Sequence, residues 1–442
     1  MALSVSLAAC AGGDDDDGGE RDAGSATTRD GGDTTTRDAG DDTTDSGVRD
    51  AGEDRDGGPR DSGVIDPVTE PYRTRRNSGD PANRIDIVIV SEGYTLEELT
   101  TRFEDDVGDA IGRTFNRRGV RNNSTEPFRT YRDYFNVHQV HLASNESGID
   151  VAGTMVDTAL DAQALPCGGG VGGMANCPID FGKAEAAIDA ALAGSGITPD
   201  IKIVMLNTDT NEARSYFPPQ GPYIVLGARF MDDVRRSENF MREIAVAWAG
   251  LAYETTDDPG GAFPGGELAP NTSTSAAGAW PEWDGHNEGM LNNEADGELN
   301  PIGAYEGGAG FATGIYRPSM NSKLGTYMPG PFNAVSRQQI VRRILESVEA
   351  IEDHTDNSTR LVDPNAIYLT LFGSSPVRWT FDGTVIDGLT DPTFGPVAYA
   401  QLEGIGPGVY EVTATVERQS NWVRTPLAAL TSSVTWEIEL TP

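Results

Sequence analysis

Cysteine and histidine are scarce in this sequence, three and four among 442 residues. So few leave no basis for a disulfide-dense scaffold or a cysteine-rich metal cluster. Cations are also short. Lysine and arginine total 33 against 69 aspartates and glutamates, a formal net charge of -36. So acidic a surface repels phosphates, which argues against nucleic acid as a partner and against anionic membrane surfaces without a tether. No apolar run reaches the ~18 residues of a membrane span. The length permits two or three domains and a sizeable core.

What is present begins with MALSVSLAAC. Leu7-Ala8-Ala9-Cys10 has the small residues before a cysteine that the lipoprotein signal peptidase cuts, making residues 1–10 a signal segment and Cys10 the lipidation site. The usual positive n-region is missing, which suggests a start codon placed too late. Residues 11–70 hold almost no large apolar side chain and repeat Arg-Asp-Ala-Gly at 21–24, 37–40 and 49–52. Such a segment cannot bury enough apolar surface to offset chain entropy and reads as a disordered tail. Calcium binding by its aspartates is one reading. A solvated, self-repelling spacer is the simpler one. A lipidated cysteine before a long spacer is the layout of an exported protein anchored at the outer membrane or cell surface. Cys167 and Cys177 flank a glycine-rich loop and should pair as a disulfide in an oxidising compartment. A two-thiolate metal site is the alternative, but no histidine stands near it.

Beyond the spacer, strand and helix alternate. RIDIVIV (84–90) is a nearly continuous apolar strand. Ser91-Glu92-Gly93 turns the chain toward a helix with Thr95 as N-cap and Glu98 in the capping-box position. Further strands fall at 134–144, 200–206 and 223–227, and helices at 181–194, 237–254 and 335–352. That predicts an α/β domain over 71–354, a mixed sheet with flanking helices. From 355 to 442, segments such as VRWTF and VYEVTATVE alternate at period two, which predicts a small all-β sandwich.

RIDIVIVSEGYT, EPFRTYRDYFNVHQVHLASNESGID, DTALDA and IKIVMLN, followed in order by APNTS, WPEW, YEGGAGFATGIYRPSMNSKL and PFNAVSRQQI, resemble the immunoglobulin A metallopeptidase family over roughly residues 84–345. The resemblance implies a secreted zincin whose chemistry centres on a helix like H-E-x-G-H-x-F-x-G-L-A-D-E-Y. Histidines at i and i+4 share one helical face, so both can reach one zinc at ~2.0–2.1 Å, and the glutamate beside them takes a proton from zinc-bound water.

The matching segment here runs Arg242 to Glu254, registered on Ala249-Gly250-Leu251-Ala252. Arg242 and Val246 stand at the two histidine positions, and Tyr253 stands at an aspartate that is a third candidate ligand. Positions 242, 246, 249 and 253 are expected on one helical stripe, so the whole metal-facing stripe has changed. Glu243 alone is retained, in the general-base position. Arg242 is expected to pair with a carboxylate other than Glu243. The family's N-C-x-M floor segment is replaced by Asn321-Ser322-Lys323-Leu324, although Tyr316, a possible catalytic residue, and Arg317 and Pro318 are kept.

No cofactor is therefore expected. A rewired zinc site from Glu243, Glu254, His286 and Glu306 is the rival. His138 and His141, three apart on a strand, point to opposite faces and cannot chelate together. Asn292-x-Glu294-x-Asp296-Gly297 faintly resembles a calcium loop but has Gly303 where an acid is required. The reading is a monomeric, surface-displayed, catalytically inactive relative of the peptidases that binds an extended polypeptide or an envelope or extracellular protein. The other readings are an active hydrolase with a rebuilt site and a structural envelope protein.

Overall fold

The apolar run at 84–90 needs cover on both faces, and it lies at the heart of the sheet. The computed structural model describes residues 66–116, 125–151, 153–166, 175–176, 178–209, 213–229, 233–256, 261–287, 301–325, 330–373, 375–402, 404–424 and 430–442. The expectations for Cys10, the spacer up to residue 65, Cys167, Cys177 and the acidic loop at 292–297 lie outside the described residues.

Strands β1 (Tyr72–Arg76), β2 (Ile85–Glu92), β3 (Phe135–Val140), β4 (Ile201–Leu206), β5 (Ala213–Tyr216) and β6 (Tyr223–Gly227) form a six-stranded sheet in the order β1-β3-β2-β4-β6-β5. The four inner strands are parallel, and both edge strands run antiparallel to their neighbours. Every residue of β2 is buried, as expected of an inner parallel strand covered on both faces.

Thr95 and Glu98 make both bonds of a capping box at the start of the short helix α1 (Leu96–Leu99). Ile85, Ile87 and Ile89 face a core shared with helices α2 (Arg102–Ile111), α4 (Asp233–Ala247) and α5 (Ala334–Ser347). Val88 and Val90 face the opposite core, closed by α3 (Phe181–Leu192). The fold is mixed α/β, as the alternation of the sequence required.

The helix expected over 237–254 ends at Ala247 instead. Gly250 adopts φ +69, the left-handed conformation that glycine enters without steric cost. The Leu251 N–H reaches back to the Ala245 carbonyl at 3.1 Å, and the chain reverses.

A hairpin, β7 (Tyr305–Gly308) and β8 (Phe311–Arg317), stands between α4 and α5 in the chain. The strands beyond residue 350 are β9 (Ile351–His354), β10 (Leu361–Val362), β11 (Ile367–Leu371), β12 (Val377–Phe381), β13 (Thr384–Val385), β14 (Thr393–Phe394), β15 (Gly408–Glu417) and β16 (Thr431–Leu440). They make a three-stranded and a five-stranded sheet around one core. Val377, Trp379 and Phe381 point inward from β12, and Trp379 packs 5.9 Å from Trp436. Among the described residues no helix is long and apolar enough to cross a membrane.

Candidate functional site

Helix α4 lies against β5 and β6 and carries Glu238, Arg242, Glu243 and Val246. Glu243 is wholly buried, and both its oxygens are engaged. Oε1 accepts from Arg242 Nε at 3.0 Å, and Oε2 accepts from Ser215 Oγ of β5 at 2.8 Å and from the Tyr253 hydroxyl. The Arg242 guanidinium lies 5.4 Å from the centre of the Tyr253 ring. Burial and the neighbouring Glu243 charge push the Tyr253 hydroxyl well above the usual phenol range, so it stays a donor.

Two expectations are corrected here. Arg242 does pair with Glu243, because its long side chain bends back to the adjacent residue. Tyr253 does not share a helical stripe with Arg242, because the helix has ended. The Gly250 reversal brings Tyr253 back to the same carboxylate from outside the helix.

A second buried pair adjoins the first. Lys323 Nζ donates to Glu238 Oε2, and both side chains are almost entirely out of solvent. The Gly330 N–H adds a bond to the same oxygen at 3.2 Å. Burial lowers the Lys323 ammonium, Glu238 opposes that shift, and the Arg242 charge reinforces it. Two carboxylates, Glu238 and Glu243, are thus neutralised by two built-in cations, Lys323 and Arg242. The sequence reading missed Lys323, noting only that its segment lacks Cys and Met. Glu238, one helical turn before Arg242, was the available signal.

Glu254 sits apart as the hub of a different network. Its Oε1 accepts from Asn271 at 3.0 Å, Asn333 at 2.9 Å and Ser336 at 3.1 Å. Its Oε2 accepts from Asn333 at 3.0 Å and Ser322 at 2.5 Å. Burial raises this carboxyl above its usual range, against the pull of those donors. Ser322 and Leu324 thereby gain roles. The first clamps Glu254, and the second is fully buried in the core that also holds Val246.

The rival ligand set does not assemble. His286 packs on Trp283 and lies 3.1 Å from an Arg424 nitrogen, while Glu306 accepts from the Gly314 N–H within its own hairpin. Tyr316 pairs through its backbone with Ser273. His138 contacts Asp86 and Thr74, whereas His141 contacts Gln139 and the Glu70 carbonyl. Among the described residues no three His, Cys, Asp or Glu side chains are grouped to hold a metal ion.

The family model described as IgA Peptidase M64 matches residues 74–163, from β1 through β3 and the loop beyond, and supports the immunoglobulin A metallopeptidase family. The match ends before α4. No curated protein matches the chain.

That family implies zinc. The residues at hand do not fit the ion. Arg242 is a cation without a lone pair, Val246 has no donor atom, and both Glu243 oxygens are already bonded.

Proposed function

We propose that this chain is a catalytically inactive relative of the immunoglobulin A metallopeptidases that binds an extended polypeptide. The observation that carries the reading is the state of Glu243. A general base must be able to reach a water, and this carboxylate is sealed by Arg242, Ser215 and Tyr253. A binding role is supported by β5, the last strand in the sheet order, whose Ser215 touches Glu243. An extended chain can add to such an edge through main-chain hydrogen bonds without being cut. Lipidation at Cys10, export and display at the cell surface as a monomer belong to the same proposal.

The rewired-enzyme reading finds no support in the separated positions of His286, Glu306 and Glu254. The test is photo-crosslinking of unfolded, alkylated casein and immunoglobulin A hinge peptides to the purified protein. Intact peptides cross-linked at residues 213–216 are expected. Released fragments would favour the enzyme reading, and an absence of cross-links would favour a structural envelope protein.

A further inference from the structure

Two of the chain's four histidines tie the edge strand β1 to the sheet, one on each face. His138 lies on β3, and His141 follows directly after it. Tyr72 pairs with Val140 and Thr74 with His138, and the His141 N–H carries the contact on to the Pro71 carbonyl at 2.9 Å. Both histidines are buried, and neither belongs to the Glu243 cluster.

The partners of each ring fix the protons it can hold. Beside His141, Arg75 Nη1 donates to Gln139 Oε1 at 3.0 Å. A guanidinium only donates, so the orientation of the Gln139 amide is set. Gln139 Nε2 donates to the Glu104 carboxylate of α2 and to His141 Nε2, the latter at 2.8 Å. The Glu70 carbonyl accepts from His141 Nδ1 at 2.8 Å. The ring is therefore neutral, with its proton on Nδ1 and its lone pair on Nε2. A second proton would set two donors against each other. Turning the Gln139 amide over gives no relief, because its NH2 group would then face the Arg75 guanidinium and its oxygen the Glu104 carboxylate.

Charge opposes that proton too. The ionisable groups facing the ring are Arg73 and Arg75 on β1 and Glu104 on α2, and the edge-on ring of Phe103 lies 6.3 Å away. One carboxylate already serves two guanidiniums, so an imidazolium would be a third cation. His138 is built differently. Its Nε2 lies 3.0 Å from the Asp86 carboxylate, and its Nδ1 lies 2.9 Å from the Thr74 hydroxyl, which can donate or accept. Both bonds survive protonation, and Asp86, with Asp200 on its N–H, favours it. We infer that His141 is an acid-sensitive clasp on β1. As pH falls through the imidazole range the ring gains a proton, the link to Gln139 breaks, and the entry of β1 loosens while the inner strands hold. The outer edge of β3 is then uncovered.

Hydrogen exchange of the whole chain, read by mass spectrometry and corrected for the intrinsic effect of pH, tests this. The comparison is made at about pH 7.5 and about pH 5.5, which bracket the ordinary imidazole value of ~6.5 and stay above the carboxylate value of ~4.3. Protection of peptides spanning 70–76 is expected to fall about tenfold or more at the lower pH, the scale of one buried hydrogen bond, with β4 unchanged. His141→Gln keeps a donor and an acceptor but cannot titrate, and it is expected to abolish the acid loss. Should a thermal melt show that this variant does not fold, Gln139→Met decides, because it removes the donor that opposes the proton and is expected to abolish the loss as well. Three outcomes overturn the assignment: wild-type protection of 70–76 that does not change with pH, an equal loss in β4, or an acid loss that persists in the folded variant.

Discussion

Lys323→Met is expected to destabilise the protein by about 3–5 kcal/mol, because it leaves the Glu238 carboxylate buried without a counter-charge. The double variant Lys323→Met/Glu238→Leu should recover most of that loss, since apolar groups of similar volume replace a desolvated ion pair at little net cost. Urea denaturation of the wild type, both single variants and the double variant gives the coupling directly. A loss below about 1 kcal/mol in Lys323→Met would mean that the ammonium is not the counter-charge of Glu238.

Glu254→Leu should cost a similar amount, about 3–5 kcal/mol, by orphaning the amide groups of Asn271 and Asn333 and the hydroxyls of Ser322 and Ser336. It should also change the pH dependence. The folded pKa of Glu254 is raised above 4.5, so the folded state holds this proton more tightly than the unfolded chain does. The resulting stability is fully present below pH 4.5 and declines as pH rises through the folded pKa. Denaturation midpoints measured upward from pH 4.5 should therefore fall more steeply for the wild type than for Glu254→Leu. A steeper fall in the variant would contradict the assignment.

Much of the frame was legible because its signals are local. The unbroken apolar run of β2 marks an inner strand, Thr95 and Glu98 declare their capping box, and the period-two runs around Trp379 and Trp436 declare the β module. The end of helix α4 at Ala247 is set by the left-handed Gly250, a backbone signal that the side-chain register of 242–254 does not carry. The site was only half legible. The absence of metal donors at Arg242 and Val246 stands in the sequence, but the partners of the buried carboxylates depend on contacts between distant segments. Lys323 meets Glu238 across 85 positions, and Ser322 meets Glu254 across 68. No periodicity encodes those encounters.

The central claim is that Arg242 and Lys323 supply the positive charge that a peptidase of this family would take from zinc. Elemental analysis of protein purified in the presence of zinc, run beside a casein digestion assay, tests it most directly. The account predicts far less than one zinc per chain and no cleavage. One tightly held zinc per chain, with proteolysis that a chelator and Glu243→Gln each abolish, would contradict it.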